Sequence, residues 1–346
     1  MILLSIQETV KGIIGGRKIK EYTVTNNNGL SVSLMEFGAA ITSIVTPNKN
    51  NEFHNIVLGF DQLADYQKHP HHFGGTIGRV AGRIKQGKFQ IHEENYQLYS
   101  NENDNHLHGG PQGFDRVIWD SQVFYEENKV SFYYLSLDGE NGYPGKLAVS
   151  VGYQLTDENE LRIQYSAKTD RTTLFNPTNH VYFNLNDEAD SDVKEHILQM
   201  RSSQVVETDS ELIPTGNLLE TRGTVLDFQS GKPLGTDIIK VKELEKGLDH
   251  AFVLKKTLEP QVYLTNLING REVIMSSDVD CVVVYTGVMF TEEFAVEGIP
   301  LKPFMGVTLE AQHLPDAINH EHFGDIVLKP NQEYKRETSY QFCVLQ

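Results

Sequence analysis

The chain has 346 residues, of which 39% are hydrophobic, 10% aromatic and 22% charged, a globular composition that sets aside collagen, coiled coil and intrinsic disorder. With 30 Lys and Arg against 47 Asp and Glu, the formal charge is −17. So acidic a surface argues against nucleic acid or an anionic membrane as partner, because both need a basic footprint, and it leaves an uncharged ligand unaffected.

The first residues, Met1 to Ile6, lack a basic leader and form too short an apolar run for a secretory signal. No stretch approaches the ~20 apolar residues that span a bilayer, so a soluble, cytoplasmic protein is expected. Alternation of apolar and polar residues with a period of two marks half-buried strands at Leu30–Leu34, Leu147–Val151 and Leu161–Tyr165. Val130–Leu135 and Cys281–Tyr285 are richer in β-branched and aromatic residues and read as central strands covered on both sides. Turn residues punctuate these runs at Asn26–Gly29, Asp138–Gly145 and Asn269–Gly270, the last fitting a tight type I′ hairpin. Few segments carry the apolar spacing of a helix, so helices should be short and rare. Cys281 and Cys343 are too few for a disulfide framework and suit buried thiols, with one bridge between them left open. Without a linker, low-complexity block or repeat, residues 1–346 are expected to form one large antiparallel all-β domain.

Four segments hold polar groups that a plain β core would not. Gly74–Ile84 is glycine-rich and carries Arg79 and Arg83. It lacks the Lys-Ser/Thr ending and helix of a phosphate loop, which leaves surface salt bridges or an arginine forking hydrogen bonds to a polar ligand. In Asn105–Gly110, His106 and His108 share one face of an extended chain, and His69, His71 and His72 add imidazoles upstream. Zinc is conceivable there, although no helical His-Glu-x-x-His or paired Cys-x-x-Cys accompanies them. A strand starting after Pro177 would point His180, Tyr182 and Asn184 one way, a polar face typical of a ligand cleft. In Gly306–Ala317, Glu310 ends an apolar strand before a loop of Gln, His and Pro, where a carboxylate can be solvated or held at a pocket mouth with a raised pKa.

Taken in this order, together with Gly142-Tyr143-Pro144-Gly145 and Leu248–Phe252, these segments resemble the galactose mutarotases, or aldose 1-epimerases, over most of the chain. The resemblance implies a large β-sandwich, an antiparallel supersandwich curving around an open sugar cleft. It implies Glu310 as general base and His180 as general acid, Arg83 and His108 as groups that hold the sugar, and Asp249 as an acceptor for sugar hydroxyls. Departures are Gly82 where family members often carry Asn, and Pro177 and Val181 where they carry Leu and Ser; these bear on substrate preference more than on the reaction.

The chemistry of anomer exchange agrees with those roles. Ring opening removes the O1 proton and protonates the ring oxygen, so one base and one acid suffice, each contributing roughly 10² to 10⁴ in rate. No cofactor or metal is demanded. The expected partner is a monosaccharide such as galactose or glucose, with the protein a monomer or homodimer. A glycoside hydrolase would instead pair Glu310 with Asp249 and leave His180 without a part. A carbohydrate-binding protein would need no Glu310 chemistry, and a hexose-phosphate mutarotase would want more cationic groups than Arg83.

Overall fold

The computed structural model describes residues 5–346 except 189, 236, 246, 256–259 and 297; Met1–Leu4, part of the leader reading, lie outside it. Three large antiparallel sheets dominate. A five-stranded meander runs from Ser5–Ile14 to Phe53–Asn55. A nine-stranded sheet has the four consecutive strands Asp120–Phe124, Lys129–Ser136, Leu147–Leu155 and Glu160–Thr169 at one side, followed by the C-terminal Tyr334–Val344 strand. The third sheet, of six strands, carries the cleft: β1 (Tyr182–Phe183), β2 (Gln204–Thr208), β3 (Pro214–Glu220), β4 (Asp249–Val253), β5 (Cys281–Tyr285) and β6 (Val307–Gln312), in the spatial order β1-β6-β5-β4-β2-β3. The α-helix among the described residues is a short one, Leu63–Lys68, and no helix is long and apolar enough to cross a membrane.

The sheets face each other across one continuous apolar core. It joins Val32 and Ile44 of the meander, Val151, Ile163 and Tyr340 of the nine-stranded sheet, and Phe252, Val284 and Leu309 of the six-stranded sheet. Because side chains alternate along a strand, Phe252, Val284 and Leu309 pointing inward turn Ala251, Val283 and Glu310 to the opposite face. Pairing keeps those three in one row, with Val283 opposite both Ala251 and Glu310.

Several local expectations are revised. Lys129–Ser136 is covered on both sides only in its first half, for Tyr133 and Leu135 are exposed near the sheet's outer side. The hairpin at Asn269–Gly270 exists, but Thr265 pairs with Glu272 across a wider loop. Asn266 organises that loop: its Oδ1 accepts from the Ile268 N–H at 2.9 Å, its N–H donates to the Arg271 carbonyl, and only Gly270 of the supposed pair has positive φ. The strand after Pro177 is broken at His180. Thr178–Asn179 pairs with Thr76–Ile77, and β1 then pairs with β6. Asn184 is therefore no ligand group; its amide donates to the Ser191 and Met305 carbonyls at 2.8 and 2.9 Å. Both cysteines are free thiols, Cys281 buried and Cys343 partly exposed.

The two arginines of the glycine-rich stretch part company. Arg79 is fully buried and spends its guanidinium on the protein. Nε donates to Ser136 Oγ at 2.9 Å, Nη1 to the Pro144 carbonyl and Thr173 Oγ1 at 3.0 and 3.1 Å, and Nη2 to the carbonyls of Ser136, Leu137 and Gly145 at 3.1, 3.0 and 2.9 Å. The Gly142–Gly145 turn thus exists to present carbonyls to a buried cation, with Tyr143 beneath it at 5.5 Å. Such a knot is strongly destabilised when one side is removed, because buried acceptors lose their partner. Arg79→Ala should lower unfolding free energy by ~3–5 kcal/mol; a shift below ~1 kcal/mol in urea titration would mean that water or a rearranged turn replaces the guanidinium.

Candidate active site

The outward face of the six-stranded sheet floors a cavity of about 250 Å³. One row across it is Glu310, Val283 and Ala251; the adjacent row is Thr308, Tyr285 and Asp249. A carboxylate at the middle of β6 therefore stands beside apolar neighbours, with polar groups one pleat away. Glu310 does not end its strand, as its position before the loop suggested, but lies two residues inside it. The opposite wall is built from loops: the Gly74–Gly82 turns, the segment around His108, and the strand break at His180.

That break aims the imidazole. The Gly74 N–H donates to the His180 carbonyl at 3.0 Å and the His180 N–H to the Gly75 carbonyl at 2.9 Å, so the two glycines clamp its backbone. Here glycine is required at Gly74, whose φ is +63° and where a Cβ would lie 1.8 Å from the Ile41 carbonyl oxygen. His180 Nε2 then meets Glu310 Oε1 at 3.3 Å, with both side chains more than nine-tenths buried. Thr308 Oγ1 donates to the same carboxylate oxygen at 3.0 Å. Glu310 Oε2 and His180 Nδ1 are buried without a hydrogen-bond partner. The cleft thus holds a carboxyl and an imidazole with unspent hydrogen-bonding capacity.

All five residues expected at the site line this one cavity: Arg83, His108, His180, Asp249 and Glu310. Arg83 is not free to reach a ligand with its whole fork, because Nε and Nη2 donate to Glu102 at 2.6 and 2.8 Å, leaving Nη1 at 3.8 Å from Asp249 Oδ2. His108 accepts the Gly82 N–H on Nδ1 at 3.2 Å, so its other nitrogen is the one available to the cleft. His106, its neighbour on the sequence face, is spent on structure through the Tyr99 carbonyl and the Tyr143 hydroxyl, each at 2.7 Å.

Burial dominates the electrostatics. It pushes the Glu310 carboxyl up to about 8, with Thr308 opposing and Asp249 reinforcing the shift. It drives His180 well below the usual imidazole range, helped by the neighbouring His72, and does the same to His108. Asp249 is raised by burial against the pull of Arg83. Arg83 is raised in spite of burial, because Glu102 and Asp249 hold its charge. Burial thus favours the uncharged form of both side chains, the protonated carboxyl and the neutral imidazole.

Among the described residues, His108, His180 and Glu310 also form a group that could hold a metal ion, one ligand atom from each lying within 4.8 Å of the others. Sequence reasoning missed Glu102, Thr308 and Gln312. Thr308 and Gln312 could have been found by counting two positions either side of Glu310 on a strand. Glu102 lies in a loop with no periodicity to read. Gln312 is fully buried and both its amide atoms lack partners, beside a Gly82 whose missing side chain would contact it at 3.2 Å.

Comparison with known proteins places these features in a family. The profile described as Aldose 1-epimerase matches residues 20–341. Galactose mutarotase of Rattus norvegicus is 34% identical over 99% of this chain and 100% of its own length. Aldose 1-epimerase of Haemophilus influenzae is 34% identical over 97% and 99%, and maltose epimerase of Levilactobacillus brevis 31% over 98% and 99%. Among solved structures, galactose 1-epimerase from Lactobacillus acidophilus superposes with a TM-score of 0.88 at 30% identity, covering 99% of this chain and all of that one.

The buried carboxyl has a consequence for stability that can be measured. Its folded pKa lies above its unfolded value of 4.5, so the folded state holds a proton that the unfolded state has released. Stability is then fully present below pH 4.5 and is lost as pH rises toward 8. Glu310→Gln should therefore become more stable than the wild type as pH increases, by roughly 2–4 kcal/mol at pH 8. Melting curves of the two proteins that stay parallel between pH 5 and 8 would show that Glu310 is not desolvated in this way.

Proposed function

The chain belongs to the aldose 1-epimerase family, and we propose that this isomerase interconverts the α and β anomers of a free aldose with Glu310 as general base and His180 as general acid. The observation that carries the assignment is the buried 3.3 Å approach of His180 Nε2 to Glu310 Oε1 across the cavity. A pyranose lying against the pair takes both groups at once, because O1 and the ring oxygen are both bonded to C1: its O1–H meets the carboxylate and its ring oxygen meets the imidazole.

Transfer of the O1 proton to Glu310 and of the His180 proton to the ring oxygen breaks the C1–O5 bond and leaves an aldehyde. Rotation about C1–C2 presents the other face, and reclosure returns both protons, so the enzyme is unchanged. The carbonyl needs no Lewis acid for this exchange, and no metal or cofactor enters the proposed chemistry. Val283, Ala251 and Val206 supply an apolar floor for the C–H face of the ring. Asp249, His108 and the Nη1 edge of Arg83 meet its hydroxyls.

The roles require the proton on His180 and the charge on Glu310, the reverse of the arrangement that burial favours. Both arrangements hold a single proton, so their ratio is independent of pH, and the active fraction tracks the singly protonated pair. A glycoside hydrolase is less well supported, since it would set Asp249 against Glu310 while Asp249 faces the cation of Arg83, and would leave His180 idle. We further propose galactose, glucose or a related aldose as the substrate, a single functional domain over residues 1–346, a monomer or homodimer, and action in the cytoplasm.

Polarimetry on freshly dissolved α-D-glucose and α-D-galactose tests the reaction. Glu310→Gln and His180→Asn should each reduce kcat by roughly 10² to 10⁴ while sugar binding remains measurable; turnover unaltered in Glu310→Gln removes that residue as base. For the wild type, log kcat/KM should be flat around pH 6.5 to 7.5 and decline through an alkaline limb near 8, where the pair loses its last proton. A profile that instead rises through pH 8 would reverse the proton assignment.

A further inference from the structure

A third imidazole stands in the cleft, and the acid/base pair makes no use of it. The ring of His72 packs 4.9 Å from that of His108 and 5.6 Å from that of His180, and it lines the same cavity. Its backbone lies in the left-handed region at φ +57°, a conformation uncommon outside glycine. The Gly75 N–H donating to the His72 carbonyl at 3.0 Å helps to hold it there.

The ring is anchored from behind. Nδ1 lies 2.8 Å from Oδ2 of Asp115, whose side chain is 4% exposed. Arg116 Nε approaches the same oxygen at 3.1 Å. Although burial opposes it, His72 and Arg116 hold the Asp115 carboxyl below its ordinary range. An ionised Asp115 accepts, so Nδ1–H donates, which fixes the orientation of the ring. Nε2 has no partner among the described residues and belongs to a side chain that stays 17% exposed. A buried carboxylate that orients an imidazole whose far nitrogen is unspent is the arrangement used where a histidine must meet a ligand.

We propose that His72 is a substrate-contacting, specificity-determining residue, its Nε2 hydrogen-bonding a sugar hydroxyl other than the one on C1, with Asp115 as its positioning residue. Neutral or charged, the ring serves: Nε2 accepts from the hydroxyl in one state and donates to it in the other. The proposal rests on the aldose epimerase reading, and supplies the sugar with a contact that neither Glu310 nor His180 provides.

The test is a cross between variants and substrates. Wild type, His72→Phe, His72→Asn and Asp115→Asn are assayed by polarimetry with glucose and with its 2-, 3-, 4- and 6-deoxy analogues. His72→Asn is included because Asn tolerates positive φ while its amide is too short to reach the cleft. On glucose each variant should raise KM about tenfold, the worth of one hydrogen bond to a neutral partner, with kcat within threefold of wild type. One deoxy analogue should lose about tenfold in kcat/KM with wild type and lose nothing further with His72→Phe and His72→Asn. Unchanged KM in folded His72→Asn, or the same deoxy penalties in wild type and variants, overturns the proposal. Wild type inactive on glucose and on every analogue overturns the epimerase reading itself, a separate outcome.

Discussion

Two ionisable groups brought out of water together, His180 and Glu310, are the constraint from which the rest of the structure follows. Alone, each would shed its charge at a large cost in the folded state; side by side they share one proton and remain neutral as a pair. In the proposed reaction, moving a single proton from carboxyl to imidazole would create the base and the acid in one step. Glu310 Oε2 and His180 Nδ1 have no partner within the protein.

Holding such a pair demands walls of different character. Glu310 comes from a strand paired along its length with β5, which fixes its position, while on the other side β1 pairs only Val307 and Thr308. His180 comes from a place where one strand gives up its partner and takes another, clamped by Gly74 and Gly75. The sheet supplies Glu310, Asp249 and the apolar floor, and the loops supply His180, His108 and Arg83. The Arg79 knot links the loop wall to the nine-stranded sheet, since the carbonyls it gathers belong to the end of the Lys129–Ser136 strand and to the Gly142–Gly145 turn. A single buried cation thus fixes the glycine-rich turn that ends in the cleft at Arg83.

Much of this could be read in the chain because period-two alternation is a local property. The Leu147–Val151 and Leu161–Tyr165 runs became long strands in one sheet, and Cys281–Tyr285 became the strand beside Glu310. What escaped reading depends on contacts far apart in sequence. Arg79 and Arg83 are equivalent in their glycine-rich surroundings, and only the fold separates a structural knot from a cleft residue. Asn184 shares the strand parity of His180 on paper, but the break between Asn179 and Tyr182 cancels that parity and sends its amide into a loop. Asn269–Gly270 has the composition of a two-residue turn, yet Asn266 three positions earlier offers a better set of acceptors and widens it. His72 gave no signal beyond being one of several histidines, because its meaning lies in Asp115, 43 residues away.

The alternation along β6 carries an evolutionary consequence. Leu309 belongs to the core and Glu310 to the cleft solely because they are consecutive on a pleated chain, so deleting or inserting one amino acid upstream within that strand would bury the carboxylate under the opposite sheet and push a leucine into the sugar. Point substitutions can reshape this enzyme's taste for sugars, but length changes cannot be tolerated there. Lineages that diversify should accumulate their indels in connections away from the cleft, and leave the spacing of the six-stranded sheet untouched.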